Sequence, residues 1–199
     1  MSTVTPSVRP DFGSYVMAVD RVEKLLRRVV GALEARGIEY AVIGGNAVAA
    51  WVSTVDRGAT RATQDVDLLV RRTDVNRIGD ALRPLDLILV EVLGVYLFVD
   101  RADPNPKYGV HLVFANEIIR PHYVHPAPDP SRSCRSLLEF QVINLAELVV
   151  MKLQSNRLVD RTHLADMIAI GLITPAIEAS IPRDLTPRLE AVRKEMENE

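Results

Sequence analysis

Several features common in secreted, membrane and nucleic-acid-binding proteins are missing from this chain. One cysteine, Cys134, occurs among 199 residues, so neither an intramolecular disulfide nor a cysteine-based zinc site can form. The formal net charge is −2 and no long basic block occurs, which argues against strong nonspecific binding of nucleic acid. No apolar run approaches the length of a membrane span, and the polar residues 1–12 do not resemble a signal peptide. We therefore expect a cytoplasmic protein that has no membrane partner.

Apolar residues make up 48% of the chain, enough for a sizeable core. We expect a loose arm over residues 1–14, a core of helices and a sheet over 15–126, and a C-terminal helical region over 137–199 that packs on this core. Proline and serine in residues 127–136 indicate a linker between them. Valine and leucine recur at helical spacing before Gly37, Leu93-Gly94 predicts a hairpin turn, and residues 118–124 predict an edge strand.

The most informative stretch begins with a short apolar run that ends in Gly44-Gly45. Residues 40–43 predict a strand, and residues 46–52 predict a short helix. Bare backbone between a strand and a helix N-terminus lets N–H groups approach an anion such as a phosphate. The simpler interpretation is a tight turn that needs glycine for its dihedral angles.

A second apolar run carries two acidic residues at its start, Asp65-Val66-Asp67. Side chains alternate across a strand, so both carboxylates point to one face, roughly 6–7 Å apart. Two carboxylates this close repel each other, so either a cation lies between them or one takes up a proton. Mg²⁺ favours carboxylate oxygens and leaves room for substrate phosphates, and it would stabilise charge on a transferring phosphoryl or nucleotidyl group.

These motifs, joined by Arg61-Ala-Thr63-Gln, resemble the nucleotidyltransferase superfamily of the DNA polymerase β type. The pattern is most similar to the small bacterial branch of minimal and abortive-infection toxin-type nucleotidyltransferases. The resemblance implies an α/β (α+β) core with a small mixed sheet flanked by helices, followed by a helical C-terminal part. It implies that Gly44 and Gly45 cradle the triphosphate of a nucleotide such as ATP. It also implies that Asp65 and Asp67 hold Mg²⁺, with Mn²⁺ as an alternative, and that Arg61 and Thr63 belong to the nucleotide-binding loop.

A helix that we expect Asn144 to cap places Lys152 in the middle of its apolar stripe. A lysine is rarely buried without a partner. Its ammonium either reaches solvent at the edge of the stripe or meets an anion inside a cleft. The resemblance favours the second alternative, because a lysine in this helix of the family is interpreted as a phosphate contact.

Two histidines occupy positions where the family pattern has carboxylates. His111 lies on the predicted strand 110–114, at the place of a third catalytic carboxylate, and His163 follows Asp160 where a second aspartate is usual. Imidazole is a poor ligand for Mg²⁺ but serves softer metals and can act as a base. Four interpretations of His111 are therefore open. His111 is a general base, or it is a ligand of Mn²⁺. Otherwise the chain belongs to a branch that needs only the two aspartates and Lys152, or it has lost catalysis.

Two functions follow from these residues. The first is metal-dependent transfer of a nucleotidyl group from a nucleoside triphosphate to a protein, RNA or small-molecule acceptor. The second is a catalytically degenerate module that binds a protein partner, for example in a toxin–antitoxin system. Retention of Asp65, Asp67 and Lys152 favours the enzyme, whereas His111 and His163 favour the module. A metal site at His122 and His125 is a weak alternative, because prolines around them indicate an irregular segment.

Overall fold

Residues 12–198 are described by the computed structural model, with side chains from Asp20 onward. Within this range the chain forms seven α-helices: α1 (Phe12–Glu34), α2 (Gly44–Val52), α3 (Val75–Leu82), α4 (Leu145–Ser155), α5 (Leu158–Ala169), α6 (Pro175–Ala179) and α7 (Thr186–Glu197). The strands are β1 (Ala41–Val42), β2 (Val66–Val70), β3 (Leu87–Val92), β4 (Val95–Asp100), β5 (Val110–Phe114), β6 (Ser133–Arg135) and β7 (Gln141–Ile143). The predicted arm, residues 1–14, lies outside the described residues except for 12–14, which begin α1.

The strands form one mixed sheet in the order β3-β4-β5-β2-β1-β7-β6. Strand β2 pairs with β5 in parallel and β1 with β7 in parallel, whereas the other neighbours are antiparallel. The register of β2 against β5 places Asp67 opposite His111. Two residues that are far apart in the sequence therefore lie side by side near the start of neighbouring parallel strands.

Apolar side chains of the sheet and of the helices form a continuous core. Four of the five residues in β2, all except Asp67, are fully buried, as expected of a central strand covered on both faces. The predicted stripe of α1 is confirmed from Val22 to Leu33, and the turn after this helix ends at Gly37, whose φ of 59° is left-handed. The hairpin around Leu93-Gly94 and the strand 110–114 are also confirmed.

Three expectations about local structure are wrong. Residues 118–124 form turns rather than an edge strand, because backbone hydrogen bonds from Asn116 to Ala127 and from Ala127 to Glu117 close this segment as a loop. Residues 127–136 are not only a linker, because they contain β6, which pairs with β7 in the same sheet. Asn144 makes no capping side-chain hydrogen bond at the start of α4.

The C-terminal helices pack against α2 and against one another. Leu148 and Val149 of α4 and Leu164 of α5 are fully buried, and Leu189 of α7 is also part of the core. A turn at Asn156, with a left-handed φ of 48°, separates α4 from α5. Between Phe12 and Asn198, no helix is both long and apolar enough to cross a membrane.

Candidate active site

The strand–helix turn at Gly44 brings backbone directly against an acidic side chain. Gly44 has a φ of 66°, a left-handed conformation that glycine adopts without steric cost. A Cβ built on this residue would lie 2.0 Å from Oδ2 of Asp67, which no side chain could tolerate. The amide of Ile43 also donates to the carbonyl oxygen of Asp67 at 3.0 Å. Glycine is therefore required here both for its dihedral angle and for the close approach to Asp67.

Asp65, Asp67 and His111 form the one cluster among the described residues in which three potential metal ligands converge. One ligand atom from each of the three side chains lies within 4.8 Å of the others. The predicted pair of carboxylates at the start of β2 is therefore brought together, and the parallel pairing of β2 with β5 adds the imidazole. Carboxylate oxygens fit a hard divalent cation such as Mg²⁺ or Mn²⁺, and the imidazole suits Mn²⁺ better than Mg²⁺.

The pKa of Asp67 is shifted by its burial and by the nearby charge of Asp65. Burial and then the charge of Asp65 raise the pKa of Asp67 from 3.8 to about 6. The neighbouring His111, and after it Lys152 and Arg157, lower the same pKa but do not offset the other two effects. Asp67 thus holds a proton more tightly than an ordinary aspartate does, because burial and the neighbouring carboxylate both disfavour its charged form.

The ring of His111 is held in one orientation by the backbone. Its Nε2 lies 2.9 Å from the carbonyl oxygen of Pro106. A carbonyl oxygen can only accept, so Nε2 carries the proton of this hydrogen bond and Nδ1 of the neutral ring keeps a free lone pair. Because the ring is anchored, Nδ1 is available either to a metal ion or to a proton.

Asp65 is supported by neighbours on two segments. Thr63 Oγ1 donates to Asp65 Oδ1 at 3.0 Å, and Asn46 Nδ2 donates to the carbonyl oxygen of Asp65 at 2.8 Å. Thr63 in turn lies close to Gly45, where an added Cβ would come within 3.0 Å of the threonine side chain. Gly44 thus lies directly against Asp67. Gly45 lies against Thr63, which in turn binds Asp65.

Lys152 is buried and meets an anion within the protein. Its side chain is 7% exposed, and its Nζ donates to Asp160 Oδ1 at 2.8 Å. Arg157 Nε donates to the other carboxylate oxygen, Asp160 Oδ2, at 2.7 Å. Burial raises the pKa of Asp160, but the hydrogen bonds and charges of Arg157 and Lys152 outweigh it and hold the pKa below its usual range. Asp160 is therefore a buried carboxylate with two cationic partners.

His163 lies one turn beyond Asp160 and does not join the metal-ligating cluster. Burial and then the charge of Lys152 lower its pKa to about 4, so the ring is neutral at pH 7. Its Nδ1 is buried without a hydrogen-bond partner among the described residues. His122 and His125 are also outside the cluster, and His125 Nε2 instead lies 2.9 Å from a carboxylate oxygen of Asp184.

A cavity of about 320 Å³ opens over the cluster, between β5, α4 and the loop after β5. Its wall includes Gly44, Asp67, His111 and Lys152 from the sequence prediction. Gly45, Arg61, Thr63 and Asp65 are not part of this wall. Arg61 and Thr63 line a second cavity of about 410 Å³ between α1 and α2. Of the predicted nucleotide-binding residues, Gly44 and Lys152 thus line the first cavity, Arg61 and Thr63 line the second, and Gly45 lines neither.

Sequence reasoning missed several residues of the cavity wall: Arg72, Glu117, Arg120, Tyr123 and Arg157. Arg72 pairs with Glu117 through two hydrogen bonds of 2.6 and 2.7 Å, and its guanidinium lies 3.7 Å from the centre of the Phe114 ring. Its position two residues after a buried strand was the available signal. Arg120 lies in a loop whose sequence carries no pattern, so nothing could have identified it.

Comparison with known proteins supports the fold. Neither a family model nor a curated protein matches the sequence. The solution structure of the antibiotic-resistance factor ANT(2'')-Ia is similar, with a TM-score of 0.55 and 12% identity over 90% of this chain and 93% of that one. A crystal structure of ANT(2'')-Ia with adenylyl-2''-tobramycin gives 0.54 and 12% over 87% and 98%. An antigenic nucleotidyltransferase-like protein from Paracoccidioides brasiliensis gives 0.50 and 16% over 90% and 88%.

At these identities the likeness concerns the fold alone, and it confirms the predicted α/β nucleotidyltransferase architecture with a mixed sheet.

Proposed function

We propose that the protein is a metal-dependent nucleotidyltransferase. The observation that carries the proposal is the convergence of Asp65, Asp67 and His111 to within 4.8 Å. Two of these residues, Asp67 and His111, line a cavity together with Gly44 and Lys152. The nucleotidyltransferase fold of the chain supports it. A solvated acidic strand end would explain the two carboxylates alone, but not the anchored imidazole and the glycine that lie against them.

In the proposed reaction, a hydroxyl oxygen of the acceptor bonds to the α-phosphorus of a nucleoside triphosphate. The bond from this phosphorus to the β-phosphate oxygen breaks, and pyrophosphate leaves with the electron pair. A divalent ion held by Asp65 and Asp67 would supply charge stabilisation at the phosphates. His111 Nδ1 takes the hydroxyl proton, because its ring is oriented by the hydrogen bond to Pro106 and its lone pair is free.

Gly44, Gly45 and Lys152 bind the triphosphate. Gly44 and Gly45 open the N-terminus of α2 to phosphate oxygens. Lys152 Nζ carries three N–H donors and gives one to Asp160, so two remain for a phosphate at the cavity wall. The loop with Arg61 and Thr63 acts on the nucleotide indirectly, through the position of Asp65.

The charges in the cavity wall bear on which acceptor the protein can bind. The adenylyl-2''-tobramycin of the ANT(2'')-Ia crystal structure contains an aminoglycoside, which carries several ammonium groups. In the cavity of this chain, Glu117 is paired with Arg72, and Asp160 is paired with Lys152 and Arg157. Asp67 is then the one wall carboxylate without a cationic partner among the described residues, so a polycation fits poorly. We propose a protein or RNA hydroxyl, or a small molecule of lower positive charge.

We also propose that the protein belongs to the small bacterial branch that includes toxin-type nucleotidyltransferases, and that it binds a protein partner.

The first experiment incubates the protein with each of four α-³²P-labelled nucleoside triphosphates, in Mg²⁺ or Mn²⁺. Tobramycin, cellular RNA and a cell protein extract serve as acceptors. The Asp65→Asn, Asp67→Asn double variant is the control. Label transferred by the native protein alone supports the enzyme and identifies the acceptor class. Triphosphate binding without transfer to any acceptor would favour the degenerate module, and absence of both would refute the nucleotide hypothesis.

The assignment of His111 as base is tested separately with His111→Gln. We expect the transfer rate to fall by about 10²–10⁴-fold while Mn²⁺ affinity stays unchanged, since the two carboxylates remain. A loss of Mn²⁺ affinity in this variant would show that His111 is a metal ligand instead.

A further inference from the structure

Arg61 forms a two-point ion pair with a distant helix. Its Nε donates to Asp166 Oδ2 at 2.5 Å, and its Nη2 donates to Asp166 Oδ1 at 3.0 Å. Asp166 belongs to α5, 105 residues further along the chain. Such a bidentate pair fixes the guanidinium in angle as well as in distance. The guanidinium is thereby committed to α5 and does not face the cavity that contains Lys152.

This ion pair anchors the segment between α2 and β2. The other side-chain hydrogen bonds of residues 54–62, within the described part of the chain, are local. The Thr54 hydroxyl donates to the Trp51 carbonyl, the Gly58 amide donates to the Asp56 carboxylate, and the Thr60 hydroxyl donates to the Arg57 carbonyl. Most of the segment is exposed to solvent. Arg61–Asp166 is therefore its one side-chain hydrogen-bonded link to a remote element among the described residues.

The anchored segment leads directly to a proposed metal ligand. Two residues after Arg61, Thr63 donates to Asp65 Oδ1 at 3.0 Å. Helix α5 also carries Asp160, which holds Lys152 at the cavity wall. Helix α5 thus holds Lys152 through Asp160, and through Asp166 it holds the segment that leads from Arg61 to Asp65.

We propose that Arg61 and Asp166 are positioning residues that keep Asp65 at the spacing needed for divalent-metal binding. The proposal rests on the proposed function in one respect, namely that Asp65 and Asp67 hold a metal ion. It differs from the role that the family resemblance implies for Arg61, because the arginine acts through Thr63 and Asp65 without touching the nucleotide.

The ion pair itself contributes little to stability. The Arg61 side chain is 57% exposed and that of Asp166 is 22% exposed, and such pairs are weak because water screens them. By contrast, residues that orient metal ligands affect metal affinity by about 10–100-fold. A positioning role therefore predicts a large loss of metal affinity together with a melting temperature that moves by less than about 3 °C.

The test measures Mn²⁺ binding by electron paramagnetic resonance in Arg61→Gln, Asp166→Asn and the double variant. We expect each single variant to bind Mn²⁺ at least about tenfold more weakly, and the double variant to bind no more weakly than either single one. The matched control is Glu147→Gln, which breaks an ion pair of similar exposure, Arg132–Glu147, away from the cavity. This control should leave Mn²⁺ affinity unchanged.

Trypsin digestion in the absence of metal provides a second measurement. Asp166→Asn should accelerate cleavage after Arg57 and Arg61, whereas Glu147→Gln should not. Unchanged Mn²⁺ affinity in both single variants, or losses that multiply in the double variant, would overturn the proposal. If the protein binds Mn²⁺ as expected but transfers no nucleotide to any acceptor, the positioning role stands and the proposed function fails.

Discussion

Replacement of Gly44 by alanine tests the close contact on which the site depends. Two effects add in this variant. A left-handed φ of 66° costs an alanine about 1–2 kcal/mol. The new Cβ also meets Asp67 at 2.0 Å from Oδ2, 2.8 Å from Cγ and 2.9 Å from Cβ, and overpacking of this kind costs about 1–3 kcal/mol. We expect a loss of about 2–5 kcal/mol in the free energy of unfolding.

Gly37→Ala isolates the first effect. Gly37 has a φ of 59°, close to that of Gly44, but a Cβ built on it meets nothing within 4 Å. This control should cost about 1 kcal/mol, because the backbone strain is partly offset by the lower entropy of the unfolded chain. The difference between the two variants then measures the contact with Asp67.

Urea unfolding in metal-free buffer gives both free energies, and Asp67→Ala supplies a double-mutant cycle. Removing Oδ2 and Cγ of Asp67 eliminates two of the three close contacts, so Gly44→Ala should cost less in the Asp67→Ala background. The native-background Gly44→Ala protein should also bind Mn²⁺ more weakly, since the methyl group displaces a ligand. If Gly44→Ala costs no more than Gly37→Ala, or costs the same in both backgrounds, the contact with Asp67 is not what requires the glycine.

Three further predictions concern the charged groups of the site. The pKa of Asp67 is raised from 3.8 to about 6. Ionisation of Asp67 therefore lowers the free energy of unfolding as the pH rises from 3.8 through about 6. In metal-free buffer Asp67→Asn should therefore be more stable than the native protein by up to about 3 kcal/mol at pH 8 and equal to it near pH 3.5, as urea unfolding would show. A native protein that is the more stable at pH 8 would contradict this. Lys152→Met leaves buried Asp160 with Arg157 as its remaining cation and should cost about 2–4 kcal/mol, and the double variant with Asp160→Leu should recover part of the loss. No recovery would mean that the charge of Asp160 is not the cause. Thr63→Val should weaken Mn²⁺ binding, whereas Thr63→Ser keeps the hydroxyl and should restore it. Equal binding by the two variants would exclude the hydrogen bond to Asp65.

Local sequence patterns were sufficient for the elements that carry the site. The period of two in β2 placed Asp65 and Asp67 on one face, and the apolar run after them predicted a central strand. Helical spacing predicted α1 and the position of Lys152 on the apolar side of α4, where the lysine is indeed buried. The patterns failed at residues 118–124 and 127–136, because the pairing of an edge segment depends on neighbours that the local sequence does not contain.

The sequence by itself determined that two carboxylates, a glycine turn and a lysine on an apolar helical stripe occur in one chain, and it predicted the α/β fold with a mixed sheet. Only the tertiary structure decided what each of them touches. The parallel register of β2 and β5 places His111 beside Asp67, and the packing of α5 brings Asp166 to Arg61 and Asp160 to Lys152. These contacts join residues separated by as many as 105 positions, and such contacts follow from the assembly of the sheet and the helices, which no local pattern of residues encodes.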